Sequence, residues 1–371
     1  MQRKIKSSMA AAIALLGLYP GLFLQAHGQT SVQVYGVLDT AVEYINHVGA
    51  DRSGLTRMPS LTGSMPSRLG FRGREELGSG LSAGFTLEMG IAPDTGGLNQ
   101  GGRGFGRQAF VSLSGAGGTL GLGRQYSMLF WSLLDADILG ANMQGLANLD
   151  SYLANARSDN TISYKSSLAG LSWGATYSWG RDSVNAGNAG GTNCPGESSQ
   201  DAKACRAWSA MLKYDSAAWG LALGHDMLRG GSAALFGLDS STKRDRRTTV
   251  NGYAKLGGAK ISAGYMVRTN DGDAAQPRSR LWFVGGRYPL GHWVFDAQYQ
   301  QIRYQGSADK GQLLVLRSSY QLSKRTAVYA SLGYVKNSGN AAFGASSAQG
   351  GGLPVAGVNQ TSLGLGLHHS F

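Results

Sequence analysis

The chain has 371 residues, a formal charge of +12 and a mean hydropathy of −0.17, with no apolar run after its first segment that could form a membrane helix. Its 57 Gly, 8 Pro and 15% charged residues suit many turns and pleated strands better than helices. The cationic excess favours anionic partners, and nucleic acid is set aside because no basic helix, ribonucleoprotein motif or finger spacing occurs.

Residues 1–28 read as a secretory signal peptide: Arg3, Lys4 and Lys6, then an apolar stretch from Met9 to Leu24, then the small-x-small pattern Ala26-His-Gly28. A membrane anchor is the competing reading, but Gly17, Tyr19, Pro20 and Gly21 interrupt a run already short for a spanning helix. Cleavage after Gly28 lowers the formal charge from +12 to +9 and leaves one domain, 29–371.

Period-two alternation then marks sixteen strands at 31–47, 66–76, 80–90, 104–114, 119–126, 157–167, 171–181, 206–215, 219–228, 247–256, 259–269, 279–288, 292–304, 311–321, 325–336 and 358–371. Connections after even strands are short, such as Leu77-Gly-Ser79 and Gly257-Gly258, whereas those after odd strands are longer, reaching Ser127 to Ala156 after the fifth. One face of each strand is apolar and the other polar: Val32, Val34, Leu38, Val42 and Tyr44 oppose Gln33, Asp39 and Glu43. Aromatics cluster at strand ends, with Tyr164, Trp173, Tyr214, Trp219, Tyr288, Trp293, Tyr320 and Phe371 at one end and Tyr44, Trp179, Trp208, Trp282 and Tyr334 at the other. These features predict an all-β, 16-stranded antiparallel transmembrane barrel with short periplasmic turns, long extracellular loops and two aromatic girdles. Strand 358–371 closes the ring against 31–47, with the terminal Phe371 as periplasmic anchor.

Cys194 and Cys205 lie in a Gly-, Asn- and Ser-rich outer loop, where export permits a disulfide worth about 3 kcal/mol of unfolded-state restraint. Zinc would need about four ligands and none stand nearby. His368 and His369 alternate across a strand and cannot share one metal ion, so no metal or cofactor is expected. Gly102-Arg-Gly104-Phe-Gly106 looks like a fragment of a phosphate loop but has no following helix, and an outer loop is the better reading. No Ser, His and acid set stands at a recognisable catalytic spacing, so no catalytic residue is assigned.

Several stretches resemble the trimeric general porins of β-proteobacteria, of the neisserial type. They are Val34-Tyr-Gly-Val-Leu-Asp39, Ser67-Arg-Leu-Gly-Phe-Arg-Gly73 with Glu75-Glu-Leu-Gly78, Gly106-Arg-Gln-Ala-Phe-Val-Ser-Leu113 and Leu122-Gly-Arg-Gln125. Arg157-Ser-Asp-Asn-Thr-Ile-Ser-Tyr164, Leu322-Ser-Lys-Arg-Thr326 and the terminal Leu367-His-His-Ser-Phe371 follow in order. The resemblance implies a homotrimer in the outer membrane, amid lipid and lipopolysaccharide, passing small hydrophilic or anionic solutes passively. It also implies a long third loop folded into the lumen opposite a cluster of wall arginines, and a terminal aromatic, Phe371, read by the assembly machinery. The loop departs from the family's acidic Gly-rich tip, because Met128-Leu-Phe-Trp-Ser-Leu-Leu134 is apolar.

A channel selects by width and by rings of charge. The expected constriction comprises Arg68, Arg107, Arg124 and Arg157, opposed by Asp135, Asp137 and Asp150 of the loop. Alternation turns Arg68 and Arg157 toward the lumen, whereas Arg107 and Arg124 fall on outward parity unless a bulge or strand end intervenes, and rest on the resemblance. Arg72, Lys165, Lys213, Lys255, Lys260 and Arg317 add a basic wall, so a modest anion preference follows. An outer-membrane enzyme, an adhesin translocator and a substrate-specific channel using Phe130 and Trp131 as a stacking platform are the rival readings.

Overall fold

The computed structural model describes residues 31–59, 63–182, 192–347 and 352–371; the signal segment expected over 1–28 lies outside them. Sixteen wall strands follow one another: β1 (Ser31–Val48), β2 (Arg68–Gly78), β3 (Leu81–Gly90), β4 (Gln108–Gly115), β5 (Gly118–Tyr126), β6 (Thr161–Leu168), β7 (Leu171–Ser178) and β8 (Ala207–Asp215). They continue through β9 (Trp219–Arg229), β10 (Arg244–Leu256), β11 (Ala259–Asn270), β12 (Arg278–Leu290), β13 (Trp293–Tyr304), β14 (Lys310–Gln321), β15 (Thr326–Ser338) and β16 (Gln360–Ser370). Each pairs antiparallel with its sequence neighbours, and β1 pairs with β16 from Val37↔Ser370 to Ile45↔Ser362, so the sheet is a closed barrel.

Alternation sets the two faces. On β14, Leu314 and Leu316 are 42% and 46% exposed, whereas Leu313 and Val315 between them are buried. Exposed Val, Leu and aromatic side chains form an outward apolar belt of the kind a membrane-spanning barrel presents. The expected girdles lie on this face: Tyr214 meets Trp219 at 5.2 Å and Trp293 meets Tyr320 at 4.8 Å near one rim, and Tyr177 meets Trp179 at 5.1 Å near the other. Tight turns hold the first rim; Gly257 and Gly258 take φ of +55° and +88° between the paired Leu256 and Ala259, a two-residue turn that needs left-handed backbone twice.

Phe371 completes the closure. Its N–H donates to the Gly36 carbonyl at 3.1 Å and its carbonyl accepts from the Gly36 N–H at 3.0 Å. The ring lies over Gly36, where a Cβ would stand 2.3 Å from Cζ, so only glycine admits it. Deleting Phe371 is expected to reduce the yield of folded barrel, read as heat-modifiable migration in gels, while the channels that do form conduct normally; altered ion selectivity would place Phe371 elsewhere.

Three local departures from regular alternation matter for the lumen. A short strand, Ser53–Arg57, folds back on the outer end of β1, and the chain then enters the barrel, where Asp39 accepts from the N–H groups of Ser64 and Met65 at 3.0 and 2.9 Å. Strand 157–167 is not one run: Arg157–Ser158 pairs with Gln125 and Tyr126, and the register slips one residue before β6. Asn160, at φ +48°, makes that bulge. β5 is likewise distorted at Gly123, with φ +131°, just before Arg124.

Candidate functional site

The connection after β5 runs into the lumen and is held there by apolar packing. Ser127 caps a short helix, Met128–Leu133, its side chain accepting from the Phe130 N–H at 3.4 Å. The Met128 N–H donates to Ser209 Oγ on β8 at 2.7 Å. Leu129, Leu133, Leu146, Leu149, Tyr152 and Leu153 bury against lumen-facing Ala207, Leu228, Met266, Leu281, Phe283 and Ile302. Each Leu so buried contributes about 1.5–3 kcal/mol, which is why this loop is apolar where an acidic tip would be solvated.

Polar contacts lock the same side. Arg247 on β10 donates to Asp150 at 2.7 and 3.1 Å and to Asp245 at 2.9 Å. The Tyr152 ring lies between the guanidiniums of Arg247 and Arg181, at 4.3 and 4.8 Å from its centroid, and its hydroxyl donates to Asp226 at 2.6 Å. Burial, with the neighbouring Asp226 charge, drives the Tyr152 phenol well above its ordinary pKa. Arg181 belongs to the outer loop that carries a Cys194–Cys205 disulfide, with Cα atoms 5.2 Å apart, and its N–H donates to the Cys205 carbonyl at 3.2 Å. That loop therefore braces the inward one.

The expected opposing acids do not oppose the arginines. Asp150 is bound to Arg247, Asp135 to Lys213, and Asp137 accepts from Gln298 Nε2 at 3.1 Å. The three are held by partners on β8, β10 and β13 and not by the arginines, because anchoring an inward loop against cationic and amide partners satisfies carboxylates that would otherwise be desolvated. Burial raises the Asp137 carboxyl above the usual carboxylate range.

On the near wall three arginines gather. Arg107 Nε donates to Glu88 Oε1 at 2.7 Å and its Nη2 to the Tyr126 hydroxyl at 2.9 Å. Arg157 donates to the same hydroxyl, its guanidinium 4.3 Å from the Tyr126 ring centroid, and has no carboxylate partner among the described residues. Arg68 approaches Glu88 Oε2 at 3.6 Å, and the Tyr35 hydroxyl donates to that oxygen at 3.0 Å. Arg68 and Arg107 thus share one carboxylate, and Arg157 stands beside them on the Tyr126 hydroxyl. Arg107 escapes its outward parity because it precedes the first residue of β4 at the strand end, with its N–H bonded to the Glu88 carbonyl at 3.0 Å.

Arg124 stands apart from this set. It donates to the Gly106 carbonyl at 2.7 Å and to Asp159 at 2.6 Å, while Arg103 bridges Asp159 and Asp182 at 3.0 and 2.6 Å. The positive-φ backbone at Gly123 and the strand end turn it to these loop acids instead of to Glu88.

Between loop and arginines lies a cavity of about 70 Å³, with Arg107 and Arg157 on one side and Asn142, Ala147, Ser151 and Asn155 on the other. One lip is cationic and the other neutral. Below it the expected wall residues are distributed among partners: Lys213 also meets Asp215 at 2.9 Å, Arg317 and the unforeseen Arg287 both hold Asp296 at 2.7 Å, and Arg72 donates to Gln33 at 2.8 and 2.7 Å. Lys255 and Lys260 flank Tyr253 at 5.8 and 4.4 Å, and Lys165 lies 4.6 Å over Trp131, none of the three with a carboxylate partner among the described residues.

A closed barrel with an apolar outer belt, a polar lumen and a loop folded in beside fixed charges is a transmembrane channel. The chain belongs to the Gram-negative porin family, whose model matches residues 10–340. It is 30% identical to Outer membrane porin protein 32 of Delftia acidovorans over 93% of this chain and 95% of that protein. It is 29% identical to an outer membrane porin protein of Bordetella pertussis over 99% of this chain and 100% of that protein. A solved anion-selective porin from Comamonas acidovorans superposes with a TM-score of 0.75 at 26% identity, covering 92% of this chain and all of that one.

Proposed function

We propose that this protein is an outer-membrane porin that lets small hydrophilic solutes and ions diffuse passively and prefers anions, and that it carries no catalytic centre. The observation that carries the anion preference is the constriction itself: Arg68, Arg107 and Arg157 against the single carboxylate of Glu88, facing a neutral loop lip. A permeating anion meets uncompensated positive charge in a narrow passage, and a cation meets no acid across from it. The name of the Comamonas acidovorans porin agrees with this reading.

Export by the leader 1–28 and assembly as a homotrimer belong to the same proposal. From Leu69 to Leu122 the outward positions carry no Trp or Tyr, yet Val111 and Leu122 are 58% and 49% exposed. A sector that is apolar but lacks interfacial anchors suits protein contact better than lipid. Phe371, at the periplasmic rim, remains the proposed mark for the assembly machinery.

General diffusion is favoured over a substrate-specific channel because the proposed stacking platform is already occupied: Phe130 stacks on Tyr126 at 3.9 Å, and Lys165 covers the Trp131 ring. Solute uptake into liposomes carrying the protein should rise linearly with concentration and fall smoothly with solute size. Saturation by one solute, with block of conductance by it, would establish the specific channel instead.

A further inference from the structure

We propose that segment 63–67 is a second inward element of the channel, held in place by Asp39 as its positioning residue, and that it sets the size of solute that passes. The inference rests on the porin reading and adds to it a determinant of width. Parity turns Val37, Asp39, Ala41, Glu43 and Ile45 of β1 toward the lumen, where an open water column would leave them exposed. All five are buried, none more than 5% exposed. On β15 the lumen-facing Ala327, Tyr329 and Val335 are buried as well. Protein therefore covers this side of the lumen.

Asp39 gathers the cover. Its carboxylate accepts from the N–H groups of Ser64 and Met65 at 3.0 and 2.9 Å, from the Ser64 hydroxyl at 2.6 Å and from the Tyr329 hydroxyl at 2.7 Å. Three of these four donors belong to one short segment, so the buried carboxylate is satisfied only while that segment stays inside. Ser67 adds a tie of its own to the Asp39 backbone, its hydroxyl donating to the carbonyl at 2.8 Å and accepting from the N–H at 2.9 Å. Gly63 fits because it has no side chain: a Cβ there would overlap the Tyr329 hydroxyl and the Asp39 carboxylate.

The segment in turn docks the inward loop. The Gly63 carbonyl accepts from the Met143 N–H at 3.1 Å, and Met143 packs on Ala41 and Tyr329. At the other end of the segment, Pro66 and Ser67 line the narrow cavity that Arg107 and Arg157 also line. Segment and loop tip together close the sector from β15 to β1 and leave the passage beside the arginines. Closing a sector narrows a channel for charged and neutral solutes alike, so width here has a determinant separate from the charges.

Two variants displace the segment by different means. Gly63→Ala does so by overlap and leaves every wall residue in place; Asp39→Ala removes the acceptor while the Ser67 ties to its backbone remain. Single channels in a bilayer are read for conductance and for the largest neutral polyethylene glycol that still enters and lowers it. Neutral polymers are blind to the charge lost with Asp39. Both variants should conduct about 1.5- to 2-fold more than the parent and admit larger polymers. Parental conductance and polymer cut-off in Gly63→Ala would overturn the proposal, whatever Asp39→Ala does. Where either variant does not assemble, Tyr329→Phe decides in its place, since it removes a donor to Asp39 and an acceptor of the Ser64 N–H. A raised cut-off there supports the assignment, and a parental one contradicts it. A parent that forms no channels would fail the porin reading instead, which keeps the two failures distinct.

Discussion

Replacing Arg107 and Arg157 together by Gln is expected to lower the chloride-over-potassium permeability ratio by about tenfold. At ~6 Å in a water-like dielectric one charge shifts a passing ion by about 0.7 kcal/mol, with opposite sign for anion and cation. Two charges would change the ratio further still, and mobile ions at physiological salt screen part of the effect. Arg68 and Tyr35 remain on Glu88 in the double variant, so that carboxylate stays partnered and the wall holds its shape. The readout is the zero-current potential across a bilayer under a KCl gradient. An unchanged ratio would remove both arginines from the ion path.

The second large effect concerns the anchor of the inward loop. In Arg247→Ala, Asp150 loses its cation while Asp245 keeps Arg268 at 2.9 Å, and Tyr152 loses one of its two flanking guanidiniums. Stranding a buried carboxylate costs about 3–5 kcal/mol, comparable to the burial of one or two loop leucines. The loop should detach from the β10 wall, seen as larger single-channel conductance with rapid current fluctuations. Arg247→Met combined with Asp150→Leu removes both charges and should return quiet, near-parental conductance, since an apolar pair of similar volume replaces a buried ion pair at little cost. Parental conductance in Arg247→Ala would show that apolar packing alone holds the loop.

The barrel was legible in the sequence because β-alternation is a local signal repeated sixteen times, and turns such as Gly257-Gly258 punctuate it. Arg68 could be oriented by parity alone. Arg107 and Arg124 could not, because a strand end and the positive-φ backbone at Gly123 decide their directions. Glu88 stood on the water-facing side of its strand, but its position among Arg68, Arg107 and Tyr35 depends on cross-strand register at residues far apart in sequence. The inward acids were misplaced for a related reason: pairing Asp150 with Arg247 spans 97 residues. A clue to the loop's seat was present. The runs Leu281-Trp-Phe-Val284 and Leu313-Leu-Val-Leu316 are apolar on both parities, which a wall with water on one side does not need. Leu281 and Phe283 pack against the inward loop, and Leu313 and Val315 pack around its Leu139.

The central claim is that fixed positive charge without an opposing acid governs passage through this barrel. The zero-current potential of the purified, unmodified protein in a neutral bilayer, under a tenfold KCl gradient, tests it most directly. Its sign should be that of a membrane more permeable to chloride than to potassium. A potential of the opposite sign, showing potassium to be the more permeant ion, would contradict it.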